Sequence, residues 1–194
     1  MKICVISDTH ARSISELSPS LIDTLTNVDL IIHLGDYETK ELVDDFKKLN
    51  NFIGITGNHD FGEIRSILPK TEILEINGKR LGLIHGHGCT WPFGLRRGLS
   101  AHFKKEKIEA ILFGHTHIAK NRVDNDILYF NPGSAVARFP AIQSSYGIVN
   151  IGESITGEIL TFMPSSNTSK LRQAYSIMSQ YGPRRVIYSA ATFR

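Results

Sequence analysis

Apolar positions along this chain fall into short runs, and five of those runs stop at a cluster of carboxylate, amide or imidazole side chains. The run from Lys2 to Ser7 is continuous and β-branched, which predicts a strand buried on both faces that ends at Asp8. Ser18-Pro19 then reads as an N-cap with proline in the first turn, and Leu21, Ile22, Leu25 and Val28 recur at helical spacing. A second strand, Leu30 to Leu34, runs into Gly35-Asp36. From about Thr39 to Leu49 the residues Leu42, Val43, Phe46 and Leu49 mark one face of a helix whose last turn carries Lys47 and Lys48. A third strand, Phe52 to Thr56, delivers Gly57-Asn58-His59-Asp60. Repeated strand-helix units predict right-handed crossovers and a parallel sheet, with a ligand crevice outside the carboxyl ends of its strands.

The second half is richer in strands. Ile73 to Ile76, Asn77-Gly78 and Arg80 to Ile84 predict a hairpin with a type I′ turn, its second strand ending on His85. Leu95 to Lys107 has the spacing of a helix with Leu99 and Phe103 turned inward. Glu109 to Phe113 is a strand that stops at Gly114-His115-Thr116-His117, and Ile127 to Phe130 leads into Asn131-Pro132-Gly133-Ser134. Tyr146 to Ile151 and Glu158 to Phe162 predict an antiparallel pair closing around Thr156-Gly157. The whole reads as an α/β fold of two sheets packed face to face with helices outside. Past Pro164 the chain turns polar, and Leu171 to Met178 could form one helix.

Composition narrows the classes without naming one. The 194 residues suffice for one domain with its own core, and their ordinary apolar, aromatic and charged fractions set aside disorder, collagen and coiled coil. Two cysteines, Cys4 in a strand and Cys89 in a loop, suggest no disulfide framework and point to a reducing compartment. With no apolar leader and no run long enough to span a bilayer, the expectation is a soluble, cytoplasmic protein that has no membrane partner. The net charge of +3 mildly favours anionic substrates. Arg96, Arg97, Lys104, Lys105 and Lys107 read as a solvated helix face, because no aromatic residues interleave them as a nucleic-acid surface would require.

The chemistry lies in the ordered clusters. Asp8, His10, Asp36, Asn58, His85, His115 and His117 combine oxygen and nitrogen donors, a set suited to two divalent ions of the borderline type: Mn first, with Ni, Fe, Zn or Co as alternatives. A carboxylate has two oxygens, and Asp36 is read as bridging both ions. Two such ions against the carboxylates of Asp8 and Asp36 leave an excess of positive charge, suited to binding a phosphate ester and acidifying a shared water for in-line attack. His59 follows a ligand and faces elsewhere, which makes it the candidate general acid for the leaving oxygen. His87, Arg12 and Arg138 are weaker candidates for holding the substrate phosphate. Asp60 reads as the cap of a following helix, Asn131-Pro132-Gly133 as a turn, and Ser134 lacks the partners of a nucleophile.

Taken in order, Asp8-Thr9-His10, Gly35-Asp36, Gly57-Asn58-His59-Asp60, His85-Gly86-His87, Gly114-His115-Thr116-His117 and Asn131-Pro132-Gly133-Ser134 resemble the calcineurin-like metallophosphoesterase superfamily, in particular its small single-domain phosphodiesterase branch. The resemblance covers residues 1–162 and leaves 163–194 as a tail or surface helix, part of the same domain or an oligomer contact. It implies a four-layer α/β/β/α sandwich of two mixed sheets, with Asp8, His10, Asp36 and His117 on one metal and Asp36, Asn58, His85 and His115 on the other. Where phosphoprotein phosphatases of the superfamily carry an Asp that orients the acid His, this chain has Thr39, preceded by Glu38, which implies a preference for leaving groups of low pKa. Ala11 stands where the family usually has glycine. The same branch includes a vacuolar sorting subunit that uses the fold as a binding scaffold and has lost ligands; this chain keeps all seven.

The expectation is therefore a phosphoesterase, most plainly a phosphodiesterase, acting on a small phosphate ester. A metal-stabilised interaction module and a nuclease are the alternatives. The loop from Gly88 to Arg97 is where substrate preference would lie. Nothing in the pattern sets an oligomeric state, and a homodimer stays open.

Overall fold

The structure, a computed structural model, describes residues 1–89, 94–138, 141 and 143–162. The candidate helix at Leu171 to Met178 and part of the loop from Gly88 to Arg97 lie outside the described residues.

The first half alternates strand and helix as its pattern predicts: β1 (Lys2–Ile6), α1 (Pro19–Thr26), β2 (Leu30–His33), α2 (Lys40–Leu49) and β3 (Phe52–Gly54). A short helix α3 (Glu63–Ile67) follows. The hairpin β4 (Thr71–Ile76) and β5 (Lys79–Ile84) turns at Asn77-Gly78, both at positive φ as a type I′ turn requires. Then come α4 (Leu95–His102), β6 (Ala110–Phe113), β7 (Lys120–Asp124), β8 (Ile127–Asn131), β9 (Ser144–Ile151) and β10 (Ile155–Phe162).

These strands form two five-stranded mixed sheets, in the orders β10-β9-β1-β2-β3 and β4-β5-β6-β8-β7. Within the first, β1, β2 and β3 run parallel; within the second, β5, β6 and β8 do. Three apolar clusters give the layer order. Ile3, Val5 and Ile32 of one sheet meet Leu81, Leu83, Leu112 and Phe130 of the other in the central core. Leu21 and Leu25 of α1 and Val43 and Phe46 of α2 pack on Cys4, Ile6 and Ile31, the opposite face of the first sheet. Leu99 and the following Phe103 cover Ile84, Ile111 and Tyr129 on the second. This is the four-layer α/β/β/α sandwich. Among the described residues no helix is long and apolar enough to cross a membrane.

Within the central core one ring is seated on glycine. Phe130 of β8 lies where a Cβ on Gly147 would come within 2.2 Å and one on Gly157 within 2.6 Å. Gly157 is therefore inside β10, opposite Val149, and the turn falls earlier, at Gly152 to Ser154, rather than at Thr156-Gly157. Three further differences have local causes. Helix α4 ends at His102, and Phe103 reaches the core from just beyond it. Ser18 flanks α1 without a side-chain cap; its hydroxyl pairs with Ser20 at 2.9 Å. Strand β7 is polar and mostly exposed, so its alternation is hidden in sequence; it pairs with β8 through Asn125-Asp126, both at positive φ.

Candidate metal centre

Each residue read as a ligand lies within four residues of the carboxyl end of a strand: Asp8 and His10 after β1, Asp36 after β2, Asn58 after β3, His85 after β5, and His115 and His117 after β6. Both sheets thus contribute to one crevice. The backbone there is unusual. Asp8, His10, Asp36, His115 and His117 all sit at positive φ; among the described non-glycine residues the others are Asn77, Asn125 and Asp126, which form hairpin turns. Left-handed backbone costs ~1–2 kcal/mol per residue, and its concentration at predicted ligands marks a functional constraint.

Two glycines let the loops close. A Cβ on Gly57 would come within 2.1 Å of Asp36 Oδ1, and one on Gly114 within 2.0 Å of Ser7 Oγ. The loops after β1 and β2 are joined by hydrogen bonds from Asp8 N to the Gly35 carbonyl and from His10 N to the Asp36 carbonyl.

The two carboxylates are arranged alike. One oxygen of each is tied by a backbone N–H: His59 N donates to Asp36 Oδ1 at 2.8 Å, and His115 N donates to Asp8 Oδ2 at 3.1 Å. The other oxygen faces imidazoles. Asp36 Oδ2 lies 3.4 Å from His85 Nε2 and 3.9 Å from His10 Nε2, so it faces residues assigned to both metals. Asp8 Oδ1 lies 3.3 Å from His117 Nε2 and 3.9 Å from His85 Nε2, is buried, and has no hydrogen-bond partner among the described residues. Asp8, His10 and His117 form one group able to hold an ion, and Asp8, Asp36 and His85 another. The shared member of these two groups is Asp8, whereas the sequence reading gave the bridging role to Asp36.

The histidines are turned to present a lone pair. His85 Nδ1 bonds the Leu34 carbonyl at 2.7 Å and His117 Nδ1 bonds the Arg138 carbonyl at 3.1 Å, so each Nδ1 carries the proton. In the neutral ring Nε2 then has a free pair, and that of His85 faces Asn58 Oδ1 at 3.0 Å as well as both carboxylates. Three oxygens around one ring nitrogen need a proton or a metal ion between them, and a hydrogen bond from the other nitrogen to a backbone carbonyl is the usual support of a metal-bound histidine. The residues therefore fit divalent ions.

The carboxylates and rings set one another's proton affinities. Burial pushes the Asp36 carboxyl upward, but the His85 ring, the His59 N–H and the nearby His10 outweigh it and hold the group well below the usual carboxylate range. Burial lowers His10 and His115. For His85 burial acts in the same direction, yet Asp36 and Asp8 prevail and raise it; for His117 the Asp8 carboxylate raises it directly.

His59 is exposed, with its ring edge-on to His10 at 5.6 Å between centroids. No carboxylate reaches it among the described residues: Glu38 lies 3.8 Å from His10 Nδ1 instead, and Thr39 caps α2 while its hydroxyl donates to the Arg12 carbonyl at 2.6 Å. His87 is exposed beside His115 at 5.0 Å. Arg138 is exposed and its charge depresses His10, which places that charge at the crevice; Arg12 contributes its backbone carbonyl.

Asp60 corrects the sequence reading. It does not cap α3, whose N-cap is Gly62 without a side-chain bond. It is fully buried, and its carboxylate accepts from Asp36 N at 2.8 Å, Gly57 N at 2.7 Å and Tyr37 N at 2.8 Å, clamping the β2 and β3 loops together. Burial pushes its carboxyl upward against these three donors. Two residues without a role in the sequence pattern also lie beneath the crevice: His33, at the end of β2, and Thr9, which it bonds at 3.0 Å. The only sequence signal was a polar residue closing an apolar run. Ser134 is buried, its hydroxyl donating to the Asp8 carbonyl at 2.9 Å, a structural role.

A family model, the calcineurin-like phosphoesterase superfamily domain, matches residues 1–154. The chain belongs to that superfamily. This calcineurin-like phosphoesterase is 42% identical over 142 residues to a probable metallophosphoesterase of Methanocaldococcus jannaschii, covering 72% of this chain and 71% of the relative. It is 27% identical to a phosphodiesterase of the same organism over 146 residues, 69% of this chain and 83% of the other. Among solved structures, Vps29 of Entamoeba histolytica complexed with zinc superposes with a TM-score of 0.71 at 25% identity, over 86% of this chain and 95% of that one. The likeness to Vps29 is one of fold.

Proposed function

We propose that this calcineurin-like phosphoesterase hydrolyses phosphodiesters at a centre of two divalent ions, Mn first, held by Asp8, His10, Asp36 and His117 on one side and by Asp36, Asn58, His85 and His115 on the other. The catalytic unit is residues 1–162, acting in the cytoplasm on a small phosphate ester. The observation that carries the reading is the meeting of three oxygens, from Asn58, Asp36 and Asp8, on Nε2 of His85, the last of them, Asp8 Oδ1, having no hydrogen-bond partner among the described residues. When bound, such ions supply positive charge to the phosphate oxygens and acidify a water.

The chain's own groups do the rest. Asp36 is held well below the usual carboxylate range, and two divalent ions against two carboxylates leave the loaded site with excess positive charge, which selects an anionic ester. Arg138, whose charge already reaches His10, adds to that field at the mouth. His59 stands exposed with its backbone N–H fixed on Asp36 Oδ1, so its ring is held at the rim, where it donates a proton to the departing oxygen. Because no carboxylate among the described residues holds that ring, esters of acidic alcohols are turned over best.

The test is hydrolysis of bis(p-nitrophenyl) phosphate by Mn-supplemented protein. Asp36→Asn and His85→Ala are expected to lose at least ~100-fold in kcat while remaining folded. Turnover of either variant at the wild-type rate would end the proposal. A protein that binds Mn yet hydrolyses no member of a panel of mono- and diesters is instead a binding scaffold, the use of this fold that the sequence comparison with the vacuolar sorting subunit raises.

A further inference from the structure

His33 is fully buried at the end of β2 and is assigned no part in binding or chemistry. Its ring stacks on Tyr37, with centroids 3.8 Å apart and planes 19° apart, and leans on Phe46 of α2. Packing of that kind asks only for an aromatic ring. Both ring nitrogens are nevertheless engaged. Gly35 N donates to Nδ1 at 3.1 Å, so Nδ1 is bare and the neutral ring carries its proton on Nε2. Nε2–H then donates to Thr9 Oγ1 at 3.0 Å, and the Thr9 hydroxyl passes its own hydrogen to the Asp36 carbonyl at 3.4 Å. The chain of bonds has one direction, from the floor of β2 through Thr9 to the loop that carries Asp36.

Thr9 lies between Asp8 and His10, and Gly35 precedes Asp36. Those three flanking residues are the ones held in left-handed backbone at φ 54°, 42° and 62°. The loops that carry them are also zipped by Asp8 N to the Gly35 carbonyl and His10 N to the Asp36 carbonyl, and His33 is the side chain that braces this zipper from below.

We propose that His33 is a positioning residue of the metal centre: with Thr9 it forms a buried latch that fixes the Asp8–His10 turn against the Asp36 turn, so that the two carboxylates and His10 are set before any ion arrives. The inference rests on the reading of the crevice as a metal centre, and its test separates the two. Supporting groups behind metal ligands typically carry ~10–100-fold in metal affinity. His33→Phe keeps the stack on Tyr37 and removes both nitrogens; Thr9→Val keeps the shape and removes the hydroxyl.

Mn affinity of each variant, measured by the loss of the free-Mn electron paramagnetic resonance signal, is expected to fall ~10–100-fold with the far-ultraviolet circular dichroism unchanged. Because the two side chains act through one bond, the double variant is expected to bind within about 2-fold of the weaker single variant. Wild-type affinity in either variant, or losses that multiply in the double variant, would overturn the latch. Where His33→Phe does not fold, Thr9→Val carries the test, since it leaves His33 on Tyr37. The metal-free protein gives an independent reading. ¹⁵N-imidazole spectra should show His33 protonated on Nε2 alone, with a slowly exchanging proton that Thr9→Val exposes to exchange. A proton on Nδ1, or the same slow exchange in both proteins, would refute the proposal even if the wild type bound no Mn and the proposed function fell.

Discussion

A buried carboxylate that collects three backbone N–H groups is hard to replace, and Asp60 is such a group. Asn in its place keeps the shape but turns an NH₂ toward one of those donors, leaving an N–H of Asp36, Tyr37 or Gly57 unsatisfied in the interior. Asp60→Asn is expected to lose ~1–3 kcal/mol in urea unfolding and to weaken Mn binding ~10-fold, since the displaced donors belong to the loops of Asp36 and Asn58. Unchanged unfolding and Mn titrations would show that the clamp is dispensable. That the candidate ligands share one crevice was legible because each falls in a polar motif that interrupts an apolar run; the service of Asp60 was not, because it depends on how closely the β2 and β3 loops approach. His33 adds a pH signature. Burial, its leading cause, holds the imidazole far below the ordinary 6.5, with Asp36 opposing and His85 and His10 adding to it. Below that ordinary value the unfolded chain takes up a proton that the native ring refuses, so this contribution to stability is present above pH 6.5 and is lost as pH falls. In metal-free protein the stability advantage of wild type over His33→Phe should therefore shrink by ~1.4 kcal/mol per pH unit below that point, the remaining histidines being common to both. A difference that stays flat from pH 7 to 5 would contradict it.

At the level of elements, one contact between the two sheets sets a ring against two absent side chains. Phe130 fills the space over Gly147 and Gly157, and a Cβ on Gly157 would lie 2.6 Å from its ring. Gly157→Ala should cost ~1–3 kcal/mol by overpacking, and Phe130→Leu in the same chain should return part of that loss. Phe130→Leu alone is expected to destabilise by leaving a cavity, so the pair should be less than additive by denaturant unfolding. Simple addition would mean that the ring and the glycine do not meet as described. The same contact explains where sequence reading of elements succeeded and where it did not. Strands that deliver a motif announce themselves by long apolar runs, as Ile3 to Ile6 and Ile111 to Phe113 do. Gly157 looked like a turn because glycine marks turns in sequence, while here it makes room for a ring from the other sheet. Strand β7 stayed hidden because its side chains face solvent and its pairing with β8 lies in the backbone.

For the molecule as a whole, the crevice is a joint between layers. Asp8, His10, Asp36 and Asn58 leave the sheet that contains β1, β2 and β3, whereas His85, His115 and His117 leave the sheet that contains β5 and β6. Asp8 and Asp36, from neighbouring strands of the first sheet, face His117 and His85 of the second across this joint, and five predicted ligands sit in left-handed backbone. An ion held by both sets would join the two sheets, so it should act as a staple between them and not only as a cofactor. At free Mn about 100 times its dissociation constant, the gain is ~2.7 kcal/mol for one site by mass action. Chelation should therefore lower the unfolding temperature, and the loss should be local in hydrogen exchange. Amides of 7–10, 34–36, 85–87 and 114–117 should exchange faster in the chelated protein, while those of β9 and β10, paired along their full length at the far edge of the first sheet, should not change. Asp36→Asn should reduce the Mn-dependent part of this protection without altering the exchange of β9 and β10. A uniform rise in exchange across both sheets would mean that the ions hold up the fold as a whole, and no change anywhere would mean that the crevice is rigid without them.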